Sequence, residues 1–226
     1  MTVLHEDRTL RDRVRVFRDR NEAGKRLVRS LHLYSETDAI VVAVPAGGVP
    51  VASEVSHGLH LMLDVIVARK VQVPGETEAG IGAVTADGTL VLNDSLIAAL
   101  RLGEDAVQKQ VAKARDSVES REKLFGCCRV RGLAKGRAAI LVDDGLATGY
   151  TMLAAVRSVK NQGASKVVVA IPTASENALD LLSRDVDEIH CLNVRTGRSF
   201  AVADAYLEWR DIPEREAVAL LRSSLP

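Results

Sequence analysis

Two adjacent carboxylates close an apolar run late in the chain, in Ile140-Leu-Val-Asp-Asp-Gly-Leu-Ala-Thr-Gly-Tyr-Thr151. A short loop of small and hydroxyl-bearing residues follows them and opens a helical pattern. Loop amides at a helix N-terminus point outward as donors and attract an anion such as a phosphate. The hydroxyls of Thr148 and Thr151 can add further donors. Asp143 and Asp144 stand beside that cradle, placed to accept hydrogen bonds from a sugar diol. A phosphate cradle next to a diol acceptor describes a site for a ribose 5-phosphate. The plainer reading is an Asp-rich turn in which Asp144 merely caps the helix.

A second segment with chemical character is Val44-Pro-Ala-Gly-Gly-Val-Pro-Val-Ala52. Its glycines, Gly47 and Gly48, allow close backbone approach, and it too precedes a helical pattern. Arg69-Lys70 places two cations at the end of an apolar run, suited to an anionic leaving group or simply solvated. Glu76 and Glu78 lie in the Pro/Gly-rich stretch beyond and could meet a magnesium ion or an amine, or serve only as loop acids. The five histidines are scattered; His57 and His60 share a helix face but make no convincing ligand or catalytic pattern. No covalent nucleophile is conspicuous. Phe200, Tyr206 and Trp209 gather aromatic character near the C-terminus, where they could face a ring or anchor the core.

These residues need elements to position them. Ala39–Pro45, Leu63–Arg69, Ala138–Val142, Lys166–Ile171 and Glu188–Val194 read as buried strands, rich in Val, Ile and Leu. Helical patterns separate them: Val49–His60, Thr151 to about Gln162 with Gly163 as its C-cap, and Ser175 to Arg184. Strand–helix–strand spacing predicts parallel pairing. The segment 71–93 breaks the rhythm and reads as a mobile loop at Pro74-Gly75, then a hairpin turning at Asp87-Gly88. Asp94–Leu124 is charged and helical in pattern, with Asp94 as N-cap and Gly126 as stop. A last helix begins near Pro213. Arg8, Arg11, Arg15 and Arg18 recur at helical spacing near the start, as a solvated helix face or a phosphate or partner surface. The expectation is an α/β fold: a central parallel sheet with helices on both faces and a grafted hairpin. Ligands of such sheets bind at the carboxyl ends of the strands, where the three chemically unusual loops fall.

Composition narrows the function classes. The chain has 226 residues, enough for one large domain with a real core, and Lys plus Arg balance Asp plus Glu at 30 each. A general nucleic-acid surface would show a basic excess, and aromatics at 3% leave little for a stacking platform. Cys127, Cys128 and Cys191 make neither a disulfide framework nor a zinc knuckle, which suits a reducing cytoplasmic compartment. The N-terminal residues lack the apolar core of a signal peptide, and no stretch is long enough to span a membrane.

The acid pair and the loop after it resemble the phosphoribosyl pyrophosphate signature of type I phosphoribosyltransferases: apolar strand, acidic pair, a few residues, Thr-Gly-x-Thr. The resemblance implies that Asp143 and Asp144 hold the ribose 2′- and 3′-hydroxyls and help to place magnesium, directly or through those hydroxyls or water. It implies that Ala147, Thr148, Gly149, Tyr150 and Thr151 surround the 5′-phosphate. Residues 44–52 resemble the family's pyrophosphate loop, with Ala46, Gly47 and Gly48 at its centre and Arg69 and Lys70 beside the leaving group. A bacterial subgroup of uncharacterised phosphoribosyltransferase-domain proteins is similar over nearly the whole chain, through Phe17-Arg-Asp-Arg20, Val67-Ala-Arg-Lys70 and Gly80-Ile-Gly-Ala-Val84. In that subgroup an arginine precedes the Gly-Gly pair; here the position is Ala46, which puts efficient catalysis in question. The carboxylate that assists 6-oxopurines is likewise replaced, by Ala147. The resemblance implies one domain over residues 1–226, with a hood from about 1–34 and 195–226. It also implies transfer of ribose 5-phosphate from phosphoribosyl pyrophosphate to a nitrogenous acceptor with Mg2+, often as a homodimer. A binding or regulatory protein on the same fold is the alternative, and a phosphohydrolase is weaker because no water-activating cluster is visible.

Overall fold

In a computed structural model describing residues 2–76, 79–126, 134–197 and 200–223, alternate residues of each buried strand feed opposite layers. Ile40 and Val42 of β2 (Ile40–Ala43) and Leu141 of β7 (Ala138–Val142) pack on one face of the sheet. Val41, Ile140 and Val142 pack on the other. This two-residue period means that both faces must be covered by helices, so every position of β2 and β7 is apolar. The sheet has six strands in the order β1-β9-β8-β7-β2-β3, with every neighbouring pair parallel. Here β1 is Val3–His5, β3 Met62–Val65, β8 Lys166–Ser175 and β9 Glu188–Arg195.

One face carries α1 (Arg20–Ser30) and α2 (Gly48–Leu59), through Leu27, Leu31, Val51, Val55 and Leu59. The other carries Met152, Leu153, Val156 and Val159 of α5 (Tyr150–Asn161) and Ala178 and Leu182 of α6 (Glu176–Leu182). A separate antiparallel sheet contains β4 (Ala68–Gln72), β5 (Gly80–Thr85) and β6 (Leu90–Leu92). Its own small core joins Val71, Ile81 and Val84 to Val107, Val111 and Val118 of α4 (Glu104–Phe125). The hairpin turn is at Asp87-Gly88, as its residues predict, and Asp87 ties it to α5 through Ser158 Oγ at 2.9 Å. The last described element is α7 (Glu214–Ser223).

Several expectations are corrected. The apolar run 63–69 is not one strand: β3 stops at Val65, and β4 starts at Ala68 in the second sheet. Arg69 and Lys70 therefore lie along an antiparallel strand, opposite Val84 and Ala83, rather than at the end of a parallel one. The helical pattern 94–124 divides into α3 (Asp94–Ala99) and α4, because the chain turns through left-handed Arg101 and Gly103. Asn93, not Asp94, caps α3 by accepting from the Leu96 amide. Strand β8 runs through Pro172 to Ser175, since β9 and a bridge from Leu146 continue its pairing. The arginines at 8, 11, 15 and 18 share no helix; Asp12 and Arg15 have positive φ, and the segment turns over the end of β9. Arg11 pairs with Glu6 at 2.8 Å and Arg18 with Asp19 at 2.8 Å. Glu78, Cys127 and Cys128 lie outside the described residues. None of the described helices is long and apolar enough to cross a membrane.

Candidate functional site

Two loops meet at the carboxyl ends of the central strands β2 and β7, and a third segment contributes basic side chains. The first leaves β7 at Val142 and carries Asp143, Asp144 and residues 145–149 to the start of α5. Gly149 has φ 82° at the helix cap, a left-handed conformation that glycine adopts without strain. The loop is fixed from behind: the Leu146 amide bonds to the Thr173 carbonyl, and Ser175 Oγ donates to the Ala147 carbonyl at 2.6 Å. Ala147 and Thr148 are exposed, so the start of α5 faces solvent as an anion cradle would.

The second loop, 44–47, leaves β2 beside the first and opens α2. Its peptide bond between Pro45 and Ala46 is cis. It packs tightly on the acid pair: a Cβ on Gly47 would stand 2.1 Å from Asp144 Oδ2, and one on Gly48 would stand 2.8 Å from Asp143 Cα. The Gly-Gly pair is thus a steric requirement of having the two loops touch. The third segment, β4, brings Arg69 half-buried and Lys70 exposed.

The electrostatics centre on the acid pair. Asp143 Oδ1 accepts the Asp144 amide at 2.8 Å. Burial, and then the neighbouring carboxylate, push the Asp143 carboxyl well above the ordinary range. Asp144 is also raised by burial, against the opposing pull of Arg20. Arg20, the first residue of α1, is 7% exposed and donates from Nε to Asp144 Oδ2 at 2.8 Å, with a second guanidinium nitrogen at the same distance. Its third nitrogen donates to the Arg210 carbonyl at 2.9 Å, and its guanidinium lies 3.8 Å from the Trp209 ring centroid. Tyr206 Oη donates to the Asp144 carbonyl at 2.6 Å. Asp144 is therefore not the helix cap of the plainer reading: Gly149 takes the cap position with no side-chain bond, and an arginine from another element holds the Asp144 carboxylate.

The N- and C-terminal segments meet over this network. Phe17 bridges to Tyr206, the Leu207 amide bonds to the Phe17 carbonyl, and the Glu208 amide bonds to that of Arg18. Tyr206 and Trp209 pack as tilted rings with 5.2 Å between centroids, with Phe17 5.8 Å from Tyr206. Phe200 stands apart from that pair, beside Arg195. Tyr206 is buried as an anchor, whereas Trp209 is 38% exposed beside a 390 Å³ cleft that Asp19, Asn21, Pro50 and Glu216 also line.

The sequence expectation included neither Arg20 nor Arg121 among the site residues. Arg20 was visible only within the Phe17-Arg-Asp-Arg20 match, and nothing local tied it to an aspartate 124 positions away. Arg121, from α4, reaches the Pro45 carbonyl at 3.5 Å and pairs with Glu214 of α7. A separate cluster, His5, Glu188 and His190, brings potential ligand atoms within 4.8 Å of one another. It was likewise invisible in a sequence where the three residues are far apart or unremarkable.

Comparison with known proteins adds the family to this geometry. A model of the phosphoribosyl transferase domain matches residues 16–201. The chain belongs to the phosphoribosyltransferase family. It is 36% identical over 208 residues to a "putative phosphoribosyl transferase" of Mycobacterium tuberculosis strain H37Rv, covering 92% of this chain and 47% of that protein. The chain thus spans about half the length of its Mycobacterium relative. Among solved structures it is similar to TT1426 from Thermus thermophilus, with 36% identity and a TM-score of 0.75, covering 93% of this chain and 99% of that one. The phosphoribosyltransferase match includes both loops, β4 and Arg20, but ends before Tyr206 and Trp209.

Proposed function

We infer that this phosphoribosyltransferase-family chain binds phosphoribosyl pyrophosphate with Mg2+ and transfers its ribose 5-phosphate to a nitrogenous base or amine, releasing pyrophosphate. One observation supports this above the others: two adjacent, largely desolvated carboxylates lie against both a glycine loop and a solvent-facing helix start. Burying two like charges side by side is costly unless a ligand completes them. Sugar hydroxyls donating to the pair, with a divalent cation nearby, would do so. The donor set is all oxygen, which suits magnesium.

In this reading Asp143 and Asp144 hold the 2′- and 3′-hydroxyls and fix the ribose ring. The amides and hydroxyls of residues 147–151 hold the 5′-phosphate. Gly47 and Gly48 let the backbone approach the pyrophosphate, with Arg69 and Lys70 on the adjoining strand. Bound magnesium would neutralise charge on the leaving pyrophosphate. The bond from the sugar C1 to the pyrophosphate oxygen breaks as the acceptor nitrogen forms its bond to C1. The residues' task is to orient these groups and to bear the positive charge that gathers on the sugar. Residues 1–226 act as one unit in this reading, with the segments around Phe17 and Tyr206–Trp209 as its hood and Trp209 the exposed aromatic beside an acceptor cleft.

A binding or regulatory role without turnover is the second reading. It is favoured by Ala46 in the glycine loop and by Arg20, which already occupies Asp144. The experiment that tests the site is calorimetric titration with phosphoribosyl pyrophosphate and Mg2+. The wild type should bind, and the double variant Asp143→Asn, Asp144→Asn should lose at least about a hundredfold in affinity, since each lost charged hydrogen bond costs about tenfold or more. Equal affinity would overturn the site. Pyrophosphate release across a panel of nucleobases and amines then separates the two readings: turnover with any acceptor supports the transferase, and tight binding with none supports the regulator.

A further inference from the structure

Ala46 leaves the glycine loop without a cation of its own, yet a guanidinium reaches it from another element. Arg121 projects from the last turns of α4, with its side chain only 15% exposed. It donates from one terminal nitrogen to the Pro45 carbonyl, 3.5 Å away, at the residue before Ala46. Its Nε donates to Glu214, the first residue of α7. Arg69, half-buried on β4, is the second cation. Burial and then the like charge of Arg121 make its protonated form less favourable, and Glu214 alone among its charged neighbours opposes them. Arg121 is thus ion-paired with Glu214 beside the loop that opens α2, and Arg69 feels the charge of both.

We propose that Arg121 and Arg69 together form the seat for the diphosphate end of the donor, and that Glu214 is an internal competitor which this anion displaces from Arg121. The proposal rests on the reading of residues 44–48 as the leaving-group loop, and it adds a charge supplied from α4 and regulated from α7. Arginine suits the role because its planar fork meets two phosphate oxygens at once, which a carboxylate in the same place imitates. An incoming diphosphate, with more charge than Glu214, binds both guanidiniums and frees the glutamate to solvent. Because Glu214 begins α7, occupancy of the seat would loosen the C-terminal helix from α4.

Titration with inorganic pyrophosphate in the absence of Mg2+ tests this. Arg121→Gln and Arg69→Gln should each weaken binding by about tenfold or more. Glu214→Gln should tighten it several-fold, because the competitor has lost its charge. That opposite sign is one that a merely structural ion pair would not produce. If Arg121→Gln fails to fold, Glu214→Gln alone decides: tighter binding supports the proposal, and unchanged or weaker binding overturns it. Unchanged pyrophosphate affinity in a folded Arg121→Gln also overturns it. The Asp143→Asn, Asp144→Asn variant should bind pyrophosphate no more weakly than wild type while losing phosphoribosyl pyrophosphate. Failure of the diol site and failure of this seat are therefore read separately.

Discussion

Helix α1 touches a carboxylate cluster at each end, and the two clusters have opposite characters. At its first residue, Arg20 meets Asp144 beside Asp143, and burial raises both carboxyls. At its last residue, Ser30 Oγ bonds to His190 Nδ1 at 2.6 Å, next to Glu188. Glu188 accepts from Lys166 at 2.6 Å and from Tyr34 Oη at 2.8 Å. Despite partial burial, those two donors pull its carboxyl down to about 2. His190, stacked on His5 with centroids 4.2 Å apart, is pushed by burial down to about 4. The second cluster is complete with partners from its own chain. The first has two acids against one arginine, and so stores an imbalance for a ligand to settle. The carboxylates differ in supply of donors, and on the function proposed above that makes one end the site and the other a fastening of β9 to α1 and β8.

Removing the cation from each cluster should break or sharpen this contrast most. Arg20→Met leaves two buried acids without a counter-charge, and we expect a stability loss of about 3–5 kcal/mol at pH 8. The loss should shrink at pH 5. Carboxyls raised in the folded state bind protons that the unfolded chain has released, so stability falls as pH rises above their ordinary 3.8. Lys166→Met, at a side chain 39% exposed, should cost about 1 kcal/mol or less. Denaturant melts at both pH values measure each, and equal losses in the two variants would erase the distinction.

A smaller effect follows from packing. Gly47→Ala would put a methyl group 2.1 Å from Asp144 Oδ2, so either the loop or the carboxylate must move. We expect about 1–3 kcal/mol of destabilisation with weakened phosphoribosyl pyrophosphate binding. Ligand affinity measured beside a thermal melt checks both. A well-folded variant of unchanged affinity would show that the loop and acid pair are not in register for binding.

A modest change, with no effect on ligand binding, should come from the acid of the completed cluster. Glu188→Gln keeps the shape and removes the charge, costing about 1–2 kcal/mol near pH 7 and leaving donor affinity unchanged. A carboxyl held down contributes stability above its ordinary 4.5 and loses it as pH falls towards about 2. The variant should therefore lack that part of the wild-type acid sensitivity. His190 adds an earlier decline, from its ordinary 6.5 down to about 4, because its charged form is disfavoured in the fold. A pH series of melts separates the two windows, and a loss of donor binding in Glu188→Gln would contradict the division of roles.

The legible parts of the molecule are those set by local pattern. Asp87-Gly88 announced its hairpin, Gly126 and Gly163 their helix ends, and the Ile140–Thr151 segment its strand, loop and helix. Apolar continuity was not enough at residues 63–69, because a run that is buried throughout reads the same whether it stays in one sheet or crosses into a second. Nor was spacing enough for the arginines near the N-terminus, where positive φ at Asp12 and Arg15 replaces a helix with turns. The aromatic cluster was half legible: Tyr206 and Trp209 do meet, whereas Phe200 pairs with Arg195.

By itself the sequence determined the alternation of buried strands and amphipathic helices, and the residue types of the loop after the acid pair, because both are local properties of side-chain period and spacing. Only the tertiary structure decided which charges confront one another. Arg20 reaches Asp144, and Arg121 reaches Glu214 and Pro45, across 124, 93 and 76 positions of chain. Burial, like charge and counter-charge act through space over a few ångströms, so the balance of thirty cations against thirty anions says nothing of where the chain leaves an imbalance.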